Sequence, residues 1–188
     1  MGAVPVQHGM PVTTGTPRAV PCLGDDGPVT STYRVMTVCT GNICRSPMAE
    51  VVLRARFEAA GLDVVVDSTG VSDEEHGRPM DPRASGVLAN HGYPLPAHRA
   101  RQVRAGDVSA RDLVLAMTAR HARALRALGP GDVRMYRSFD PAAAVGGPEH
   151  LLDVEDPWYG DRAGFVTTLQ QVEAGADGIV EHVRAALR

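Results

Sequence analysis

VCTGNICRSPMAE (residues 38–50) brings together two of the chain's three cysteines, Cys39 and Cys44, with Arg45, directly behind the β-rich run YRVMTVC (33–39). Three chemistries suit such a cluster: a metal site, a redox pair, or a nucleophile cradled in an anion-binding loop. A strand that feeds a short loop and then a helix converges several backbone N–H groups on one point, and the positive end of the helix dipole aims there too. Gly41 lets the backbone bend, and the planar fork of Arg45 matches two phosphate oxygens. A cysteine at the base of such a cup has its thiolate favoured by the N–H groups, the dipole and Arg45. Cys39, Thr40, Gly41, Asn42, Ile43, Cys44 and Arg45 would then bind a tetrahedral oxyanion while presenting Cys39 to its central atom.

The surrounding residues weigh against the other chemistries. No Gly-Lys-Ser/Thr follows, which excludes a Walker loop. The spacing of Cys39 and Cys44 does not fit a zinc knuckle and no second cysteine pair exists, so neither metal nor cofactor is expected. Two merely structural cysteines would not require the Arg45-Ser46-Pro47 that accompanies them. Ser46 reads as a helix N-cap with Pro47 at the first helical position. Glu50 falls one residue too late for a capping box, which leaves the Ser46 hydroxyl available to Cys39.

A second constellation, LLDVEDPWYG (151–160), sets Asp156 before a rigid proline with two aromatics behind it. Thiolate attack on a phosphate ester needs an acid to protonate the leaving oxygen, and a loop carboxyl such as Asp156 can supply it. Trp158 and Tyr159 can wall a slot for an aromatic ring.

Those residues need a scaffold, and the pattern predicts one. β-rich runs at 33–39, 63–68 (DVVVDS), 112–117 (DLVLAM) and 133–137 (VRMYR) alternate with helical spacings at 46–61, 82–92 and 118–129. A polar, Pro- and Gly-containing loop spans about 138–161. An amphipathic helix runs from Arg162 to the C-terminus, weakened near Gly175 and Gly178. Alternation of this kind predicts an α/β fold with a parallel sheet covered on both faces, whose ligands bind beyond the carboxyl ends of the strands. Cys39 ends the first strand, where such a site belongs. Residues 1–32, rich in Pro, Gly and Thr, read as a flexible extension that includes Cys22, and 33–188 as the folded domain.

Composition sets the outer bounds. The chain of 188 residues is long enough for one domain, and its 44% apolar and 22% charged residues are globular in character. A net charge of −3 gives no reason to expect nucleic-acid binding, and the arginines of RARQVR (99–104) and RHARALR (120–126) read as solvated helix faces. No long apolar run, no basic-then-apolar leader and no disulfide framework point to a cytoplasmic protein without a membrane partner.

With both constellations in hand, VCTGNICRSPMAE and DPWYG together resemble the low-molecular-weight protein tyrosine phosphatases over residues 33–188. The resemblance implies a three-layer fold, a four-stranded parallel twisted sheet with helices on both faces, acting on a phosphotyrosine-containing protein; the sequence itself leaves the oligomeric state open, with a monomer expected. It implies that Cys39 attacks phosphorus, Arg45 holds the equatorial oxygens, and Asp156 serves as acid and then as base. Asn42 would fix the loop's shape, Ser46 would hydrogen-bond the Cys39 sulfur, and His98 would support the loop. Cys44 would trap oxidised Cys39 as a disulfide.

Two positions depart from the family pattern. Glu74 stands near the point where relatives carry an aromatic wall, implying a more open and more negative rim that favours basic phosphopeptides. Thr118 replaces a frequent Asp. Three other functions compete. An arsenate reductase would need cysteines after Cys44, and there are none. A phosphoarginine phosphatase tends to have Thr where Ile43 stands. A non-catalytic phosphate-binding module would have lost Cys39 or Asp156.

Overall fold

A computed structural model describes residues 1–2, 32–143 and 146–188. Most of the N-terminal extension, with Cys22, lies outside the described residues.

Four strands form one sheet: β1 Tyr33–Cys39, β2 Val64–Gly70, β3 Leu113–Ala116 and β4 Val133–Met135. Their spatial order is β2-β1-β3-β4 and every pairing is parallel, with Cys39 opposite Gly70 and Val38 opposite both Thr69 and Ala116. Side chains alternate across the sheet, and both faces are covered, so the strands are apolar almost throughout. On one face Val35, Leu113 and Leu115 pack under α1 (Arg45–Ala59), α2 (Pro82–Asn90) and α5 (Arg162–Ala186). On the other, Met36, Val38, Val114 and Ala116 meet Val108 of α3 (Ala105–Ser109) with Ala122 and Leu125 of α4 (Ala119–Leu128). The expected three layers are therefore present.

This strand order places the functional end. β1 leads into α1 on one face, whereas β3 leads into α4 on the other, so the connections diverge above the carboxyl ends of β1 and β3. A crevice opens at such a switch point.

Several local expectations are corrected. RARQVR is not helical: Val103 donates to the carbonyl of Gly70, Gly70 donates to that of Arg101, and the segment runs extended beside β2. Arg101 and Arg111 both pair with Asp67 and Asp107, a network no helical spacing would reveal. β4 is shorter than the run suggests because the chain tightens into a 3₁₀ turn at Tyr136–Phe139. The glycines do not interrupt α5, which is continuous from Arg162 to Ala186. Gly175 and Gly178 let that 3₁₀ turn press against the helix. A Cβ at Gly178 would stand 2.3 Å from the Phe139 carbonyl oxygen, and one at Gly175 would stand 3.0 Å from the Tyr136 ring.

Two Gly→Ala changes should therefore move stability in opposite directions. Gly178→Ala should lower the urea midpoint, with overpacking of about 1–3 kcal/mol outweighing about 1 kcal/mol of helix propensity. Gly86→Ala in α2, where a Cβ meets nothing within 4 Å, should raise stability by about 0.5–1 kcal/mol. Equilibrium unfolding of both variants, at constant m-value, checks the pair.

Candidate functional site

The loop after β1 is turned so that its carbonyls face away from the crevice. Those of Cys39 and Thr40 accept from the N–H groups of Val71 (2.9 Å) and Ser72 (3.0 Å), and that of Ile43 accepts from Asp81 N–H (2.8 Å). The Asn42 carbonyl lies 2.7 Å from His98 Nε2. With these oxygens occupied from outside, the N–H groups of Gly41, Ile43 and Cys44 donate to no acceptor among the described residues. Unsatisfied amides converging at the start of a helix suit an anion. The loop can lie this close to β2 only because Gly70 lacks a side chain: a Cβ there would stand 2.4 Å from the Thr40 carbonyl oxygen.

Asn42 holds the bend. Its φ of 59° is left-handed, and asparagine tolerates that region better than most residues. Its side-chain amide donates to Ser46 Oγ (3.0 Å) and Ser68 Oγ (2.9 Å), and its side-chain oxygen accepts from Arg101 N–H (3.0 Å). Ser68 in turn donates to Glu50 Oε2 (2.6 Å), and Arg54 pairs with Glu50 from one turn further along α1. Glu50 thus braces the loop from behind, a role hidden from a reading that weighed it only as a capping residue.

Ser46 does not cap α1. The helix begins at Arg45, with Cys44 in the cap position and no side-chain cap. The Ser46 hydroxyl instead turns inward, 3.1 Å from both Cys39 Sγ and the Thr69 carbonyl, while Asn42 N–H lies 3.3 Å from the same sulfur. Cys39 and Cys44 are both buried free thiols. Burial, with Asp81 nearby, pushes the Cys44 thiol well above its usual range.

Asp156 arrives from the opposite side. Its Oδ2 lies 2.6 Å from Arg45 Nη2, and its Oδ1 accepts from Trp158 N–H (3.2 Å). Arg45 is only 4% exposed, and a charge so deeply placed needs a counter-charge. Nη1 also reaches the Val154 carbonyl and Nη2 reaches Thr40 Oγ1 (both 3.4 Å), yet Nε has no partner among the described residues. A fork with a donor to spare can take an anion's second oxygen.

Cys39, Arg45 and Asp156 line a cleft of about 190 Å³ with Thr40, Gly41, Ile43 and Cys44. Trp158 and Tyr159 form one rim, with Tyr159 95% exposed. Glu74 and Glu75 also line the cleft, so the acidic departure noted in the sequence belongs to the pocket, and Glu75 doubles it. Asn42, Ser46 and His98 stand outside the lining and act on the loop from behind.

Thr118 caps α4, accepting from His121 N–H at 3.3 Å, and takes no part in the cleft. His121, which the sequence reading did not single out, is 2% exposed, and its Nε2 lies 3.0 Å from Thr40 Oγ1. Its four-residue spacing from Leu125 was the available signal that both share the inward stripe. Burial, then the charges of Arg45 and Arg120, lower its pKa to about 3, so the imidazole is neutral beside Arg45.

Residues 34–188 match the family model described as "Low molecular weight phosphotyrosine protein phosphatase". The chain is 52% identical over 160 residues to the low molecular weight protein-tyrosine-phosphatase of Streptomyces coelicolor, covering 81% of this chain and 94% of that one. It is 45% identical over 153 residues to low molecular weight protein-tyrosine phosphatase A of Mycobacterium tuberculosis, covering 79% and 90%. Among solved structures, the low molecular weight protein tyrosine phosphatase from T. tengcongensis superposes with a TM-score of 0.70 at 34% identity, covering 80% of this chain and 99% of that one.

The buried imidazole carries a pH signature. Its folded pKa of about 3 lies below the unfolded value of about 6.5, so the unfolded chain binds more protons between those limits. Acidification from pH 7 to 4 should therefore cost stability through this group, by up to about 1.4 kcal/mol per pH unit below 6.5. His121→Gln should be less stable than the wild type at pH 7, and the gap should narrow as pH falls. Urea unfolding of both proteins across that range checks it; parallel curves would contradict the assignment.

Proposed function

The chain belongs to the low-molecular-weight phosphotyrosine protein phosphatase family, and on that premise we propose that it hydrolyses phosphotyrosine in proteins through a phosphocysteine intermediate. One observation carries the reading: Cys39, Arg45 and Asp156, contributed by segments more than a hundred positions apart, share one cleft with Arg45 and Asp156 in direct contact.

In the first step the Cys39 thiolate attacks phosphorus while Arg45 and the loop amides hold the non-bridging oxygens. The ester P–O bond breaks, and protonated Asp156 gives its proton to the departing oxygen. In the second, Asp156 takes a proton from water, whose oxygen attacks phosphorus. The S–P bond breaks and sulfur leaves as thiolate, stabilised by the Ser46 hydroxyl and Asn42 N–H. Asn42 and His98 keep the loop in shape. Trp158 and Tyr159 flank the aromatic ring, and with Ile43 favour phosphotyrosine over phosphoarginine.

We assign the catalytic domain to residues 33–188 and the enzyme to a reducing cytoplasm, where Cys39 stays a thiol. Cys44, buried in the same loop, is proposed as the thiol that displaces water from a Cys39 sulfenic acid.

Phosphate release from matched phosphotyrosine, phosphoserine and phosphoarginine peptides tests the reading, which expects multiple turnover on phosphotyrosine alone. Cys39→Ser should abolish turnover yet retain phosphate affinity. Asp156→Ala should lose about 10²–10⁴-fold toward poor leaving groups. Equal losses on good and poor leaving groups would remove Asp156 from the acid's role.

A further inference from the structure

The acid-bearing loop does not rest on Arg45 alone. Arg83, the second residue of α2, bridges that loop and Asp81 with its guanidinium. Nη1 donates to the carbonyls of Trp158 (3.2 Å) and Gly160 (3.0 Å). Nε and Nη2 donate to the two carboxylate oxygens of Asp81, at 3.1 and 2.9 Å. The guanidinium lies over the Trp158 ring, 5.6 Å from its centroid, and 4.6 Å from that of Phe165 at the start of α5.

Both ends of this bridge are tied to the chemistry. Asp81 is buried, and its N–H donates to the Ile43 carbonyl, which belongs to the phosphate-binding loop. Trp158 N–H donates to Asp156 Oδ1. Arg83 therefore holds Trp158 by its carbonyl and ring while the same residue's amide holds the Asp156 carboxyl. We propose that Arg83 is a positioning residue: it fixes the Asp156–Gly160 loop against the phosphate-binding loop, and so sets where the acid stands relative to the leaving oxygen. This rests on the phosphatase reading for its kinetic consequence, though not for the clamp itself.

Magnitudes favour a positional effect over a stabilising one. The Arg83 side chain is 37% exposed, so solvent screens its ion pair with Asp81 and the pair adds little to stability. A solvent-exposed cation–π contact is likewise weak. Misplacing a catalytic group by about 1 Å can cost about 10²-fold in rate. The planar fork matters as well, because a lysine ammonium cannot reach Asp81 and two carbonyls from separate nitrogens. Asp81 keeps its cap on α2 through Arg83 N–H (2.7 Å), so substitution of the side chain leaves the helix start intact.

Trp158 is the chain's single tryptophan, so its fluorescence reports on the clamp without any turnover. The experiment compares the wild type with Arg83→Gln and Arg83→Lys in the full chain. Acrylamide should quench Trp158 more efficiently in both variants. Their kcat/KM should fall about tenfold to a hundredfold on phenyl phosphate, but less than about threefold on dinitrophenyl phosphate, whose leaving group needs no proton. Competitive inhibition by inorganic phosphate should be unchanged. Unaltered quenching, equal losses on the two esters, or recovery with Arg83→Lys would each overturn the clamp. A wild type that hydrolyses neither ester would sink the phosphatase reading, and quenching would still decide on the clamp.

Discussion

Everything at the site depends on one buried asparagine in a left-handed conformation. Asn42 is fully buried at φ 59°, where a residue with a side chain is ordinarily strained by about 1–3 kcal/mol. All its polar groups are engaged: the N–H with the Cys39 sulfur, the carbonyl with His98, the side-chain oxygen with the Arg101 N–H, and the side-chain amide with Ser46 and Ser68. Each bond contributes about 0.5–1.5 kcal/mol net, so together they can offset the strain. That turn lets the Thr40, Asn42 and Ile43 carbonyls find partners outside the crevice, which leaves amides of the loop free to meet an anion.

Electrostatics then follow from geometry. Arg45 is a buried charge, and among the described residues only Asp156 and a few neutral oxygens answer it. A second cation beneath it would be costly at this depth, and His121 avoids that by remaining neutral. The neutral imidazole can thus meet Thr40 Oγ1 without adding a second charge beside Arg45. Glu74 is exposed at the rim, where solvent screens it, whereas Glu75 is partly buried against Gly41 and sets a negative charge beside the loop.

The sheet order explains why these groups converge. β1 and β3 send their chains to opposite faces, so the Cys39 loop and the start of α4 flank one crevice, and the long segment after β4 returns over it. That return is anchored by Val154 N–H on the Met117 carbonyl (2.8 Å) and by Ala119 N–H on Asp153 Oδ1 (2.7 Å). The acid loop is therefore hung from the end of β3, next to the loop that follows β1.

Local pattern alone was enough for the alternating elements, the parallel sheet and the Cys39–Arg45 loop, whereas Asp156 was matched to that loop by the acid its chemistry needs and by the family resemblance. Apolar runs of strand length, helical spacings, and an Arg-Ser-Pro after a glycine are signals within a few residues, and each acts through nearest neighbours. Partners distant along the chain were beyond its reach. Nothing near Ser46 says that Thr69 and Cys39 will compete with a helix cap for its hydroxyl. Neither Glu50 nor Ser68 announces the other across the β1–β2 connection. Arg101 looks like a helical arginine until β2 claims its backbone, and Gly178 looks like a weak point until Phe139 presses against it. Arg83 and Trp158 meet only because α2 and the acid loop pack over the same end of the sheet. Sequence by itself determined which groups could do the chemistry, because residue type and local turn carry that information. The tertiary structure decided how they are held, because burial and long-range hydrogen bonds exist only once the chain has closed on itself.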